Sequence, residues 1–178
     1  MNAEPVHTAH RYADILIVGA GPAGMAAAVR AARCGAQVTV LDDNPFPGGQ
    51  IWRNEHNHPS TAEASEWFRY LEASRVQILA GPRVISADAQ RRVLLTETGA
   101  EAFEIRYDTL ILATGARELF LPFPGWTLPN VVGVGGLQAF VKSGLSVARK
   151  RIVVAGSGPL LLAAAAYFRK RGAIVSYC

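Results

Sequence analysis

The sequence predicts an α/β fold: a parallel sheet carrying a small antiparallel β-meander, followed by the opening strand–helix–strand of a second parallel unit. Three observations predict it. A glycine-rich block recurs at a fixed offset of 137 residues, so that Gly19, Gly21, Pro22 and Gly35 match Gly156, Gly158, Pro159 and Gly172. Each block has the same parts in the same order: apolar strand, Gly-x-Gly turn, Ala-rich helix, glycine, second apolar strand. Between the blocks lie short alternating segments bounded by turn residues, the signature of antiparallel strands.

Taken in order, residues 1–12 are polar and read as a flexible tail. Asp14–Val18 carries a continuous apolar run rich in β-branched residues, as expected of a strand buried on both faces. A helix is predicted from about Pro22 to Cys34, because proline suits a first helical position and Gly35 suits the end. Gln37–Leu41 is the second strand. Residues 43–60 are rich in Pro, Gly, Asn and His and form a long functional loop. Thr61–Ala73 has helical spacing, with Ser60 or Thr61 as cap. Strands follow at Val76–Leu79, Val84–Ala87, Arg92–Thr96 and Ala102–Arg106, the last three as a meander with a turn at 97–100. Thr109–Ala113 returns as a buried strand ending at Thr114-Gly115. Residues 119–130 carry three prolines and read as a connection. Leu137–Lys142 is helical, and the second block gives a strand at 151–155, a helix at about 159–171 and a strand at 173–177. The domain plan is thus a tail (1–12), a first domain (13–118), and a connection with the start of a second domain (119–178).

Half of the 178 residues are apolar and 18% are charged, enough to bury a core. The net charge of +4 comes mostly from scattered arginines. Two Arg-Lys-Arg triplets, at 149–151 and 169–171, are too short for the basic stripe of a nucleic-acid-binding protein and read as solvated faces. The second lies in the last turn of a helix, where positive charge complements the dipole. Cys34 and Cys178 form no CxxC pair, which argues against a disulfide scaffold and a dithiol reductase. Cys34 is expected to be a small buried or half-buried residue. The most apolar stretch, Ile152–Phe168, is broken by Gly-Ser-Gly-Pro, so no membrane span is predicted and a cytoplasmic location is expected.

The first block, Gly19-Ala20-Gly21-Pro22-Ala23-Gly24, follows a strand and opens a helix. The first glycine makes the tight turn, the second admits a pyrophosphate to the backbone, and the third lets helix and strand pack closely. The helix N-terminus then offers free N–H groups to the phosphates. Asp42 ends the second strand, eighteen residues after Gly24. A carboxylate there suits ribose hydroxyls and repels a 2′-phosphate, so FAD or NAD is expected rather than NADP. Asp43 shares or replaces that role. In the second block Gly156 and Gly158 are kept, but Leu161 stands at the third glycine position. A leucine there pushes the helix from the strand or blocks the ligand face. The block therefore either binds NAD(P) or serves architecture alone, and the residue that would choose between NAD and NADP falls at 179. His56, His58 and Glu55 do not make a metal set and read as surface loop. Trp52 and Trp126 read as packing anchors. No Ser-His-Asp or paired-carboxylate arrangement stands out, and no catalytic residue is named.

Together, VGAGPAG (18–24), GGQIWR (48–53) and TLILATGA (109–116) resemble the two-dinucleotide-domain flavoproteins that include thioredoxin reductase. A finer similarity joins GGQIWR to PGWTLPNVVGVGGLQ (124–138) and VVAGSGPLLLAAAAYFRKRGA (153–173). This resembles the FAD-containing A or alpha subunits of opine oxidases, hydroxyproline or proline dehydrogenases and hydrogen cyanide synthase. The resemblance implies a Rossmann-like FAD-binding domain, with FAD held at Gly19, Gly21, Pro22, Ala23, Gly24 and Asp42 or Asp43. It places Gly49 and Gln50 near the isoalloxazine or ribityl part, and the backbone of Ala113, Thr114 and Gly115 near the cofactor. Gly156 and Gly158 fall in the NAD(P)-type domain. The redox cysteines of disulfide reductases are missing from both 48–53 and 131–140. The implied activity is an FAD-dependent oxidoreductase, a subunit that oxidises a C–N or related bond of an amino-acid-like small molecule and passes electrons to a partner subunit or acceptor. Arg53 or Arg117 could meet a substrate carboxylate, although exposure or structural pairing explains each. The alternatives are an NAD(P)H-dependent flavoprotein reductase and a non-catalytic nucleotide-binding subunit. In that family the chain returns to finish the FAD domain, so these 178 residues read as an N-terminal part expected to retain FAD weakly alone.

Overall fold

The computed structural model describes residues 11–56, 59–99 and 101–177. Residues 1–10, His58 and Cys178 lie outside them. The chain divides into two compact units between Gly115 and Ala116.

Among the described residues, the first unit is a six-stranded sheet with two helices. Its elements are β1 (Arg11–Val18), α1 (Pro22–Arg33), β2 (Val38–Asp42), α2 (Ala62–Glu72), β3 (Gln77–Ala80), β4 (Arg83–Asp88), β5 (Val93–Thr98) and β6 (Glu101–Leu112). The strand order is β3-β2-β1-β6-β5-β4. β3, β2, β1 and β6 run parallel, while β6, β5 and β4 form the antiparallel meander. Side chains alternate across the sheet. Ile17 of β1 and Val38 and Val40 of β2 face the alanines of α1, whose small side chains let the helix lie close. Leu16 and Leu41 face the other way, onto Leu94, Phe103 and Ile105 of the meander. Both faces of β1 and β2 are therefore covered, which is why these strands read as unbroken apolar runs.

Several expectations change. Arg11 and Tyr12 are not tail: they extend β1, with Arg11 opposite Ile105 and Tyr12 opposite Arg106. The Tyr12 hydroxyl donates to Asp108 Oδ2 at 2.6 Å, fastening the start of β1 to β6. The segments predicted at 102–106 and 109–113 fuse into the single twelve-residue β6. β5 pairs antiparallel with residues 101–106 of β6 and β1 parallel with residues 105–112, so the pairings overlap and no break is needed where the partner changes. α2 is capped as expected, the Thr61 hydroxyl accepting from Ala64 N at 3.1 Å. Cys34 is exposed rather than buried, since it caps the C-terminal end of α1.

The second unit holds α3 (Val134–Lys142), β7 (Arg151–Val154), α4 (Pro159–Lys170) and β8 (Ile174–Tyr177), with β7 and β8 parallel. α3 starts three residues earlier than the sequence predicts. Its N-cap, Gly133, has no side chain to offer, and the Glu118 carboxylate takes the free N–H groups of Val134 (2.7 Å) and Gly135 (3.0 Å) instead. Phe168 and Ala164 of α4 pack with Val141 and Val147 into a small core.

Candidate functional site

β1 ends at Val18, and the chain turns through Gly19 into α1. Gly19 N donates to Leu41 O (2.7 Å) and Ala113 N to Val18 O (2.8 Å), so this corner lies between the C-terminal ends of β2 and β6. Ligands of open α/β sheets bind at that end. The packing is too close for side chains. A Cβ on Gly19 would lie 2.7 Å from the Ala113 carbonyl carbon and 3.1 Å from Thr114 N. A Cβ on Gly24 would overlap the Gly19 carbonyl oxygen and touch Ala113 Cβ at 3.4 Å. α1 has no acidic residue in its first turn, so its partial positive charge is available to an anion.

The loop after β2 folds onto this corner. Gly48 N donates to Ala20 O at 2.8 Å, and a Cβ on Gly49 would come within 2.9 Å of Gly21 Cα. The loop is anchored from behind by Trp52, whose backbone N–H donates to Gly48 O (3.0 Å). The indole is buried with Met25 and Val29 of α1 and Phe68 of α2. Trp52 is thus a packing anchor. Phe46 and His56 stack at a ring separation of 3.9 Å and close the outer part of the loop. Among the described residues, Arg53 Nε and His56 Nδ1 are buried without a hydrogen-bond partner. Trp126, in the second unit, is 40% exposed with its edge to Phe120.

The acidic end of β2 is more elaborate than the sequence suggests. Asp42 is only 8% exposed. Its Oδ2 accepts from Ala20 N at 2.5 Å. Its Oδ1 accepts from Asn44 N (2.8 Å) and Asn44 Nδ2 (2.7 Å). The Asn44 amide also donates to Asp43 Oδ1 at 3.0 Å, and Asp43 is exposed. The Asp42 carboxylate thus stands at the mouth of the corner and clamps it. The neighbouring Asp43 carboxylate faces solvent, and one amide bridges the two.

The sequence-predicted residues Gly19, Gly21, Gly24, Asp42, Gly49, Ala113 and Thr114 come together around this corner. Pro22 and Ala23 form the open first turn of α1, Gly115 follows Thr114, and Gln50 is exposed on the loop. Sequence reasoning missed Ala20, whose backbone joins Asp42 to the loop, and Asn44. The signal for Asn44 was legible: Asp followed two residues later by Asn before a proline is an Asx-turn pattern.

Gly156 and Gly158 form the equivalent corner of the second unit. Residues 155–160 are exposed. Leu161 Cδ1 lies 3.2 Å from where a Cβ on Gly156 would stand. Gly158 caps α4 at φ +106°, whereas its counterpart Gly21 caps α1 at φ −70°.

No helix among the described residues is long and apolar enough to cross a membrane. Residues 13–177 match the family described as pyridine nucleotide-disulphide oxidoreductase. The chain is 38% identical over 164 residues to the A subunit of opine oxidase from Rhizobium meliloti, covering 83% of this chain and 31% of that protein. It is 39% identical over 158 residues to hydrogen cyanide synthase subunit HcnB of Pseudomonas aeruginosa, covering 82% of this chain and 34% of that one. The chain therefore spans about a third of the length of these curated relatives. The fold is similar to that of L-proline dehydrogenase from P. horikoshii, with a TM-score of 0.75 over 98% of this chain and 37% of that one at 16% identity. A corner too tight for side chains, a helix N-terminus without acidic residues and a match over nearly the whole chain agree: the chain belongs to the pyridine nucleotide-disulphide oxidoreductase family, whose members are FAD-dependent oxidoreductases.

Proposed function

We propose that the first corner holds the pyrophosphate of FAD, and that the protein serves as the flavin-bearing subunit of an oxidoreductase acting on an amino-acid-like small molecule. The observation that carries the reading is the clasp of three backbone segments. Gly19–Gly24, Gly48–Gly49 and Ala113–Thr114 meet where three different side chains are sterically excluded, leaving a main-chain surface beside an open helix N-terminus. Such a surface suits a dinucleotide diphosphate, which needs N–H donors at short range.

The residues divide the work. The backbone at Gly21–Gly24 meets the diphosphate. Asp43, exposed and next to the clamp, takes a ribose hydroxyl, while Asp42 fixes Ala20 so that the corner is formed before ligand arrives. A ribose hydroxyl donating to Asp43 would replace the donor that the Asn44 amide supplies there now. Gly49 and Gln50 border the flavin, and the main chain at Ala113–Gly115 lines its other side. Bound there, FAD supplies the hydride-accepting chemistry, and the protein contributes position and exclusion of water. Similarity to HcnB and to the opine oxidase relative supports a C–N bond as the site of oxidation and a partner subunit in the assembly.

The test is the flavin content and reducibility of the whole protein. We expect stoichiometric FAD and anaerobic bleaching of its visible absorbance by an N-alkylated or cyclic amino acid. Absence of bound flavin overturns the site. Bound FAD that no amino-acid-like compound reduces overturns the substrate class alone.

A further inference from the structure

We propose that Leu161 closes the second glycine corner to a dinucleotide diphosphate, and so excludes nicotinamide nucleotides from the second unit. The two corners are built on one plan. Ile152 lies opposite Val175 as Ile15 lies opposite Val38, and Pro159 opens α4 as Pro22 opens α1. They part at the third glycine position. At Gly24 any side chain would overlap the preceding turn. At the matching position Leu161 carries four extra carbons, and its Cδ1 stands against Gly156, 3.2 Å from that residue's Cβ position.

Three consequences follow for an anion. The methyl groups of Leu161 stand beside Gly156, and a phosphate brought against them would lose hydration without gaining a donor. The Leu161 N–H, in the turn where donors would face a phosphate, is directed to Gly158 O at 3.3 Å. Gly158 itself caps the helix at φ +106°, ψ 159°, so the chain enters α4 from a different direction than it enters α1 from Gly21 at φ −70°, ψ 180°. The second corner thus preserves the strand–helix–strand frame without the surface that receives a nucleotide. This inference is independent of what the first corner binds.

The experiment is a calorimetric titration of the whole protein, with any cofactor it carries, against NADH and against NADPH. The variants are Leu161→Gly and Leu161→Ala. Wild type is expected to show no saturable binding of either nucleotide, and the variants at least tenfold tighter binding than wild type. The alanine variant guards against a glycine that loosens the helix, since it removes the methyl groups and keeps helix propensity. Circular dichroism and an unchanged flavin content establish that a variant is folded. Saturable wild-type binding with a Kd below about 100 µM overturns the proposal. So does a folded alanine or glycine variant that binds no better than wild type.

Discussion

The two glycine corners share a scaffold and differ at their mouths. Both put a helix between parallel strands in the same register, and both end that helix in the same way. Gly35 N donates to Ala32 O and Ala36 N to Ala31 O after α1; Gly172 N donates to Arg169 O and Ala173 N to Phe168 O after α4. Each is a Schellman closure with an apolar contact across it. The first corner, however, is clasped by a loop and a neighbouring strand, while the second is exposed and faced by Leu161. The difference teaches that frame and ligand competence are separately encoded. Apolar runs and a terminal glycine are enough for the frame. The ligand surface depends on the third glycine, and only at the first corner does the structure leave no room for anything else.

The largest effect should come from making the first corner like the second. Gly24→Leu places a side chain inside the Gly19 carbonyl oxygen and against Ala113. Backbone rather than a flexible side chain would have to move, so we expect a loss of about 3 kcal/mol or more in unfolding free energy, at the upper end of overpacking costs. Chemical denaturation measures the loss, and flavin content should fall to near zero. A variant that keeps wild-type stability and flavin would show that the two corners do not differ in the way their packing implies.

Next in size is the clamp on Ala20, whose counterpart in the second unit, Ser157, is exposed. Asp42→Ala leaves the backbone N–H groups of Ala20 and Asn44 without their acceptor. Loss of a buried acceptor costs about 1–3 kcal/mol, so we expect roughly 2 kcal/mol in denaturant titration. Asp43→Ala removes an exposed carboxylate and should leave stability within about 0.5 kcal/mol. If Asp43 meets the ribose, FAD affinity should nonetheless fall about tenfold, close to the contribution of one hydrogen bond to a charged group. The reverse pattern, with Asp42→Ala stable but flavin-free, would move the ribose contact to Asp42 and leave the clamp without a role.

Much of this was legible in the sequence, for physical reasons that also mark where legibility stopped. The strand-turn-helix units could be read because apolar runs and glycines act locally. Thr61 as a cap, Gly35 and Gly172 as helix ends and the meander follow from residues within a few positions of one another. The clasp around the first corner could be anticipated only by resemblance, since Gly49 meets Gly21 and Ala113 meets Gly19 across long stretches of chain. The fusion of two predicted segments into β6 escaped notice because a change of pairing partner leaves no break in the sequence pattern. The inward turn of Asp42 depends on a backbone N–H at Ala20, and a side-chain motif says nothing of which main-chain donor its carboxylate will find. Leu161 could be flagged by position, but its approach to Gly156 is visible only in three dimensions.

The smallest effect should fall where the corners agree. Gly35 and Gly172 both hold left-handed backbone, at φ +88° and +83°, and nothing crowds the space around either: a Cβ on Gly35 meets no atom within 4 Å, and one on Gly172 meets Ala148 at 3.6 Å. Replacing each by alanine therefore tests backbone conformation alone, with an expected cost of about 1 kcal/mol at either site. The two losses should match within a few tenths of a kcal/mol when each is measured by denaturation, and neither should alter flavin content. Equal costs here, beside the unequal outcomes expected at Gly24 and Leu161, would confine the divergence of the two units to the mouths of their corners. A Gly172→Ala cost far above that of Gly35→Ala would instead mean that α4 is held by its termination more than α1 is, and that the frame of the second unit has diverged as well.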